Sequence, residues 1–182
     1  MKIVPVLIAI LFISFHPVKE EKPYIVVLGI AQDAGYPQIG CNKDCCKKVY
    51  DGTAKKQMVS CIAIVDPVSK QKWIIDATPD LPDQLKLLDS YQAGDLSGIF
   101  LTHAHIGHYT GLMYLGREAM NANKVPVYAM PRMHDFLQSN GPWSQLVTLN
   151  NIELKKLKAD SAIQLNERIT VQPLVVPHRD EF

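Results

Sequence analysis

Apolar positions along the chain fall into short blocks whose spacing alternates between strand-like and helical. Tyr24-Ile25-Val26-Val27-Leu28-Gly29-Ile30 is continuous and β-branched, the pattern of a strand buried on both faces. It opens into a loop, residues 31–40, marked by Gly35, Pro37 and Gly40. Met58 to Val65 is a second apolar strand, Asp66-Pro67-Val68-Ser69-Lys70 has turn composition, and Lys72 to Asp76 is the hairpin partner. Leu81, Leu85 and Leu88, with Leu87 beside them, give the next segment an apolar helical stripe that ends by Gly94.

Ser97 to Thr102 is expected to be a strand, and the segment after His108 a helix, with Leu112, Met113, Leu115 and Met120 near helical spacing and Gly111 and Gly116 permitting close packing. Val125 to Met130 reads as a strand and Pro131 to Leu137 as a short helix. Trp143–Leu149, Ile152–Leu157 and Ala162–Leu165 read as short strand-like pieces, and Ile169 to Pro177 as a last strand. Strands alternating with helices make an α/β domain, and no internal repeat or low-complexity segment interrupts it.

The first twenty residues have another character. Lys2 precedes the uncharged apolar run Ile3 to Phe15, and the polar stretch His16 to Pro23 follows. That run has the length of a signal-peptide core and is short for a bilayer span. Residues 1–20 are therefore expected to be a signal peptide or an uncleaved N-terminal anchor, with an exported, periplasmic or membrane-anchored domain over 23–182. With 182 residues, 47% hydrophobic content and a net charge of +1, the remainder suits one globular domain. No Lys/Arg block is long enough for a nucleic-acid or anionic-lipid footprint; Lys155-Lys156-Leu157-Lys158 reads as a solvated face.

Candidate chemistry is concentrated in Leu101-Thr102-His103-Ala104-His105-Ile106-Gly107-His108, which holds three of the six histidines. His103 and His105 are two apart and point the same way if strand geometry persists, while His108 enters from the following turn. Three converging imidazoles suit zinc or a similar divalent metal. His178, after the last apolar block, repeats the placement of a histidine at a strand exit. Asp76 either orients the histidine loop through its carboxylate or caps the helix near Leu81. Cys41, Cys45 and Cys46 form a second cluster, suited to a structural metal or to a disulfide with Cys41 or Cys61 as partner. Cys61 itself reads as a small buried hydrophobe, and His134 as a surface residue.

The run Thr102 to Leu112 resembles the metal-binding motif of the metallo-β-lactamase superfamily, H-x-H-x-D-H followed by a Gly-Leu pair. Asp76 matches the strand-ending aspartate ahead of that motif, and His178 the next histidine downstream. Val27-Leu28-Gly29, the loop ending Pro37-Gln38 and the cysteine cluster are similar to the branch around pyrroloquinoline quinone biosynthesis protein B and the phosphonate-pathway cyclic phosphodiesterase. The resemblance implies the N-terminal portion of an α/β-β/α sandwich. His103, His105 and His178 would form a first zinc site, His108 would belong to a second, and Cys41, Cys45 and Cys46 would hold a structural zinc. Two departures stand out: Gly107 occupies the position of the motif's aspartate, and the family continues past the equivalent of Phe182 with a bridging aspartate and a further histidine. If no such half is present, an apolar sheet face is expected to be exposed.

These features lead to a metal-dependent hydrolase acting on a small phosphodiester-like substrate through water activated at His103, His105 and His178. The competing expectations are an iron-dependent oxidoreductase of cofactor biosynthesis and a non-catalytic metal-binding remnant; manganese is a further candidate metal. Neither nucleic acid nor a membrane, beyond the N-terminal anchor, is expected as a partner.

Overall fold

The computed structural model describes residues 21–179; the apolar run Ile3 to Phe15 lies outside them. A six-stranded mixed sheet runs in the order β1 (Tyr24–Gly29), β2 (Cys61–Asp66), β3 (Gln71–Ile75), β4 (Gly98–Phe100), β5 (Val125–Ala129), β6 (Ile152–Lys156). The first three strands are antiparallel, and β3 to β6 are parallel to one another. Parallel neighbours need crossovers. Helix α2 (Leu81–Asp89) joins β3 to β4, while α3 (Pro131–Ser139) and α4 (Trp143–Thr148) join β5 to β6. A short α1 (Asp44–Tyr50) follows the cysteines. Among the described residues no helix is long and apolar enough to cross a membrane.

Register explains the two sheet faces. Val26, Ala63, Ile74, Ile99 and Val127 are successive cross-strand partners, and all are buried in the main core with Leu81, Leu88, Leu112, Leu137 and Leu146 from the covering segments. Burying each such side chain fully is worth about 1.5–3 kcal/mol relative to exposure. On the other face, Trp73, Phe100, Leu157 and Ile169 form a smaller cluster beneath the hairpin β7 (Ile163–Gln164) and β8 (Thr170–Val171). Phe100 stacks on Tyr128 there, with centroids 4.4 Å apart. Toward β1 this cover runs out: Ile25 and Val27 are 63% and 60% exposed.

Several sequence expectations are corrected here. β1 is not buried on both faces, because the cover of the outer face stops short of it and only its alternate residues Val26 and Leu28 meet the core. The segment after His108 forms two 3-10 stretches, Ile106–His108 and Thr110–Leu115, rather than an α-helix. Its backbone is recruited by Ala77 instead: Ala77 N–H donates to the His108 carbonyl and Gly111 N–H to the Ala77 carbonyl, each at 2.9 Å. A Cβ at Gly111 would lie 2.1 Å from the Thr78 carbonyl, so the close approach requires glycine. Trp143–Thr148 is helical, not strand-like; Trp143, Leu146 and Val147 lie at helical spacing and pack on the core. The last strand is confined to Thr170–Val171, so His178 follows an irregular segment in which Leu174, Val175 and Val176 are exposed. Helix α1 carries no long periodic pattern and was not anticipated.

Candidate metal centre

The parallel strands aim their C-terminal ends at one edge of the sheet, and the chemistry collects there. β3 ends at Ile75 and delivers Asp76; β4 ends at Phe100 and delivers Thr102, His103 and His105. Asp76 adopts a left-handed backbone conformation, φ 71°, which is rare for a residue with a Cβ. Its buried carboxylate accepts the Thr102 N–H at 2.8 Å and the Thr102 hydroxyl at 2.8 Å, and meets His108 Nδ1 at 2.8 Å. Such strain recurs where neighbouring groups hold a residue at a functional site. Asp76 therefore braces the histidine loop and does not cap the helix. Asp80 precedes Leu81, and its carboxylate accepts the Val59 N–H at 2.9 Å and pairs with Lys56 at 2.6 Å.

The hydrogen bonds assign a tautomer to His103 and to His105. The Thr102 hydroxyl has one proton, donated to Asp76, so its oxygen accepts from His103 Nδ1–H at 2.8 Å. An always-protonated Arg179 donates Nη2–H to His105 Nε2 at 3.1 Å, which leaves His105 Nδ1–H facing Asp33 Oδ2 at 3.2 Å. His108 has a carboxylate at each ring nitrogen, Asp76 at Nδ1 and Asp33 at Nε2, the pattern of a ring that donates from both. In His103 and His105 the proton sits on Nδ1 and the lone pair on Nε2, the arrangement in which a metal-binding imidazole is oriented by a partner on its far side.

The rings are close. His103 lies 4.4 Å from His105, 4.1 Å from His108 and 4.7 Å from His178 between centroids. Ligand atoms of His103, His105 and His178 all fall within 4.8 Å of one another, and the same holds for Asp76, His103 and His108. Burial pushes the His103 imidazole below the ordinary range, aided by the charge of His108, so the ring is neutral and ready to ligate. The hydrogen bond to Asp76 raises His108 against its burial. A hydrogen bond from His108 holds the Asp33 carboxyl below the usual carboxylate range. The residues present fit a divalent cation: three histidine ligand atoms converge, and His103 and His105 each have a partner at Nδ1.

Beside the histidines lies a cleft of about 630 Å³, with apolar walls from Met130, Met133, Leu174 and Val176 and with Arg132 and Arg179 in its lining. A pocket of this size admits a small molecule, and two guanidinium groups favour an anionic one.

Cys41, Cys45 and Cys46 gather separately, their sulfur atoms within 4.8 Å of one another. All four cysteines are free, and Cys61 is not among the cluster: it is buried in β2 with its sulfur 3.6 Å from the Asp76 carbonyl. The hydrogen bond from Cys46 lowers the Cys41 thiol, as expected of sulfurs sharing too few protons. This geometry suits a thiolate-bound zinc. His134 stays away from both clusters; it is partly buried on α3 and faces Asp135 at 2.9 Å.

Sequence reasoning missed Asp33, Thr102 as a link, and both arginines of the cleft. Asp33 sits in a loop seventy-five residues before His108, and only Gly107, an absent side chain, signalled that another group could approach.

Comparison with known proteins follows this geometry. Coenzyme PQQ synthesis protein B of Acinetobacter baylyi is 34% identical over 128 residues, covering 65% of this chain and 40% of the relative. The protein of that name from Pseudomonas entomophila is 32% identical over 148 residues, covering 72% and 47%. Zn(2+)-bound PqqB from Methylobacterium extorquens superposes with a TM-score of 0.70 at 20% identity, covering 84% of this chain and 56% of that one. A diphosphatase from the PhnP family gives 0.57 at 21% identity, covering 78% and 52%. The chain thus spans about half, or less, of the length of these proteins, and the solved structures share its metallo-β-lactamase-type fold. A family model described as Beta-lactamase superfamily domain matches residues 72–182, well over half of the chain. The chain belongs to the β-lactamase superfamily domain family.

Proposed function

We propose that the chain is part of a zinc-dependent hydrolase acting on a small phosphodiester-like substrate. One observation carries the reading: the ligand atoms of His103, His105 and His178 gather beside a cleft that His103 and His178 line with two arginines, one of which, Arg179, donates to His105 Nε2 where an ion would sit. Those three histidines would hold the ion. When bound, it supplies Lewis acidity, lowering the pKa of a water and polarising the bond under attack.

The chain's own residues supply the rest. Asp76 and Thr102 keep His103 in the ligating tautomer, and Asp33 does so for His105. Arg132 and Arg179 bind and orient an anionic substrate, and the apolar walls formed by Met133 and Val176 exclude water from its far side. In this reading Cys41, Cys45 and Cys46 hold a second, structural zinc that shapes the loop after β1. Export rests on the N-terminal apolar run alone and is part of the same proposal.

The test is hydrolysis of bis(p-nitrophenyl) phosphate by zinc-loaded protein beside a His103→Ala, His105→Ala double variant. The double variant should lose the activity; equal rates in the two proteins would sink the proposal. Oxygen consumption after iron loading, without phosphodiester hydrolysis, would instead favour an oxidoreductase.

A further inference from the structure

We infer that the cleft beside the histidines selects phosphate diesters that carry an apolar group, such as an aromatic ring, over those that carry a sugar, and that Leu174 and Val176 make the selection. The inference rests on the hydrolase reading above and names the class of substrate that the same site takes.

The lining of the cleft decides the class. A volume of about 630 Å³ exceeds what a phosphoryl group fills and falls in the range of pockets that hold small organic molecules. Its charge is of one sign: Arg132 and Arg179 line it, and among the described residues of the lining none is acidic. An anionic phosphoryl group belongs with those two guanidinium groups. Most of the rest is apolar and comes from two parts of the chain. Met130 follows β5 and Met133 lies in the first turn of α3, whereas Leu174 and Val176 belong to the segment after β8.

Polar partners for a sugar are scarce. Thr102 supplies the one side-chain hydroxyl among the lining residues, and Asp76 and His103 already engage it. No serine, asparagine or glutamine accompanies it among those residues. Once the phosphoryl group has taken the guanidinium groups, the hydroxyls of a sugar or nucleoside would give up water without a side-chain partner, which is costly. An apolar group gains by the same transfer. Leu174 and Val176 are 67% and 69% exposed, so they have apolar surface left to bury against a ligand, while Met133 is fixed in the core. The unbranched thioethers of Met130 and Met133 adapt to varied outlines and make favourable contacts with ring edges.

Isothermal titration of the zinc-loaded full chain with diphenyl phosphate, dimethyl phosphate and cyclic AMP tests the assignment, on wild type and on a Leu174→Ser, Val176→Ser double variant. All three ligands are phosphate diesters of the same charge. Wild type should bind diphenyl phosphate at least about tenfold more tightly than either of the others, since a single methylene in an apolar pocket is already worth about tenfold. The double variant, whose replaced side chains are exposed, should melt with wild type and lose most of that preference. Equal affinity for diphenyl and dimethyl phosphate in wild type would overturn the inference without recourse to any variant. So would tighter binding of cyclic AMP, or a preference that survives intact in the double variant. If bis(p-nitrophenyl) phosphate is not turned over while the preference for diphenyl phosphate holds, the hydrolase reading falls and the selectivity of the cleft stands.

Discussion

Placing a side chain at Gly107 should damage both the fold and the site, even when that side chain is the aspartate of the related motif. The φ of Gly107 is not left-handed, so backbone strain does not enter; the obstacle is contact. A new Cβ would sit 2.0 Å from the Asp33 oxygen and 2.7 Å from its carbonyl carbon. Ordinary C···O contacts begin near 3.3 Å, so the loop must retreat by roughly 1.3 Å. Backbone has to move, because no flexible side-chain end is involved. Overpacking of this kind typically costs about 1–3 kcal/mol. At roughly 2–4 °C per kcal/mol for a chain of this size, Gly107→Ala should melt about 2–12 °C below wild type. Calorimetry of metal-free Gly107→Ala and Gly107→Asp measures the effect. Gly107→Asp should not exceed wild type in ion affinity, because its side chain displaces the loop that seats Asp33 against His105 and His108. A Gly107→Ala protein melting within a degree of wild type would refute the packing of residues 31–36 against the histidine loop.

Other outcomes follow from single contacts. Thr102→Val removes the acceptor of His103 Nδ1–H and should weaken ion binding about 10–100-fold in a chelator competition, whereas Thr102→Ser should retain it. Lys72, 2% exposed, donates to Asp89 at 2.5 Å and to the Gln92 carbonyl at 2.7 Å, tying β3 to the end of α2. Asp89→Ala strands the buried ammonium and should cost roughly 1–3 kcal/mol by denaturant titration, Asp89 being half exposed and water therefore near. Lys72→Met should cost less, and the reverse order would be inconsistent with a pairing role. Burial pushes the Asp66 carboxyl up, but hydrogen bonds from Val68 N–H and Ser69, the Arg168 charge and Asn166 outweigh it, leaving a net lowering. Asp66 therefore stabilises the fold above its unfolded value of about 3.9, and that contribution fades as pH drops through this value toward the depressed folded one. Melting curves from pH 6 to 3 should show the gap between wild type and Asp66→Asn narrowing as pH falls; a constant gap would contradict the assignment.

What could be read from residues alone depended on where the determining contacts lie. The strands and α2 carry their signal locally: Leu81, Leu85 and Leu88 recur at helical spacing, and β2 and β3 are separated by a short turn. The histidine group was legible because motif spacing encodes it, and the structure brings His178 to His103 and His105. The segment from Ile106 to Leu115 misled because its apolar spacing is helical while Ala77, thirty residues upstream, claims its backbone groups. The misreading of β1 has a similar origin, since a continuous apolar run does not reveal whether a second layer covers it. Asp33 was invisible for the plainest reason. Nothing in a loop's composition says which distant ring its carboxylate will meet.

Asp66 has a longer reach than its distance from the histidines suggests. Its carboxylate receives Asn166 Nδ2 at 2.9 Å and Arg168 Nη1 at 3.1 Å, fastening the loop of the β7–β8 hairpin to the β2–β3 turn. His178 hangs about ten residues beyond that fastening. Were the whole hairpin to come away, Ile169 with it, the lead would run from Leu157, about twice as far back. Effective concentration falls as roughly the −3/2 power of tether length, so doubling the lead dilutes the third imidazole about threefold at the other two. In the proposed metal site, a buried carboxylate far from the histidines would thereby help set how often the third imidazole stands beside the other two.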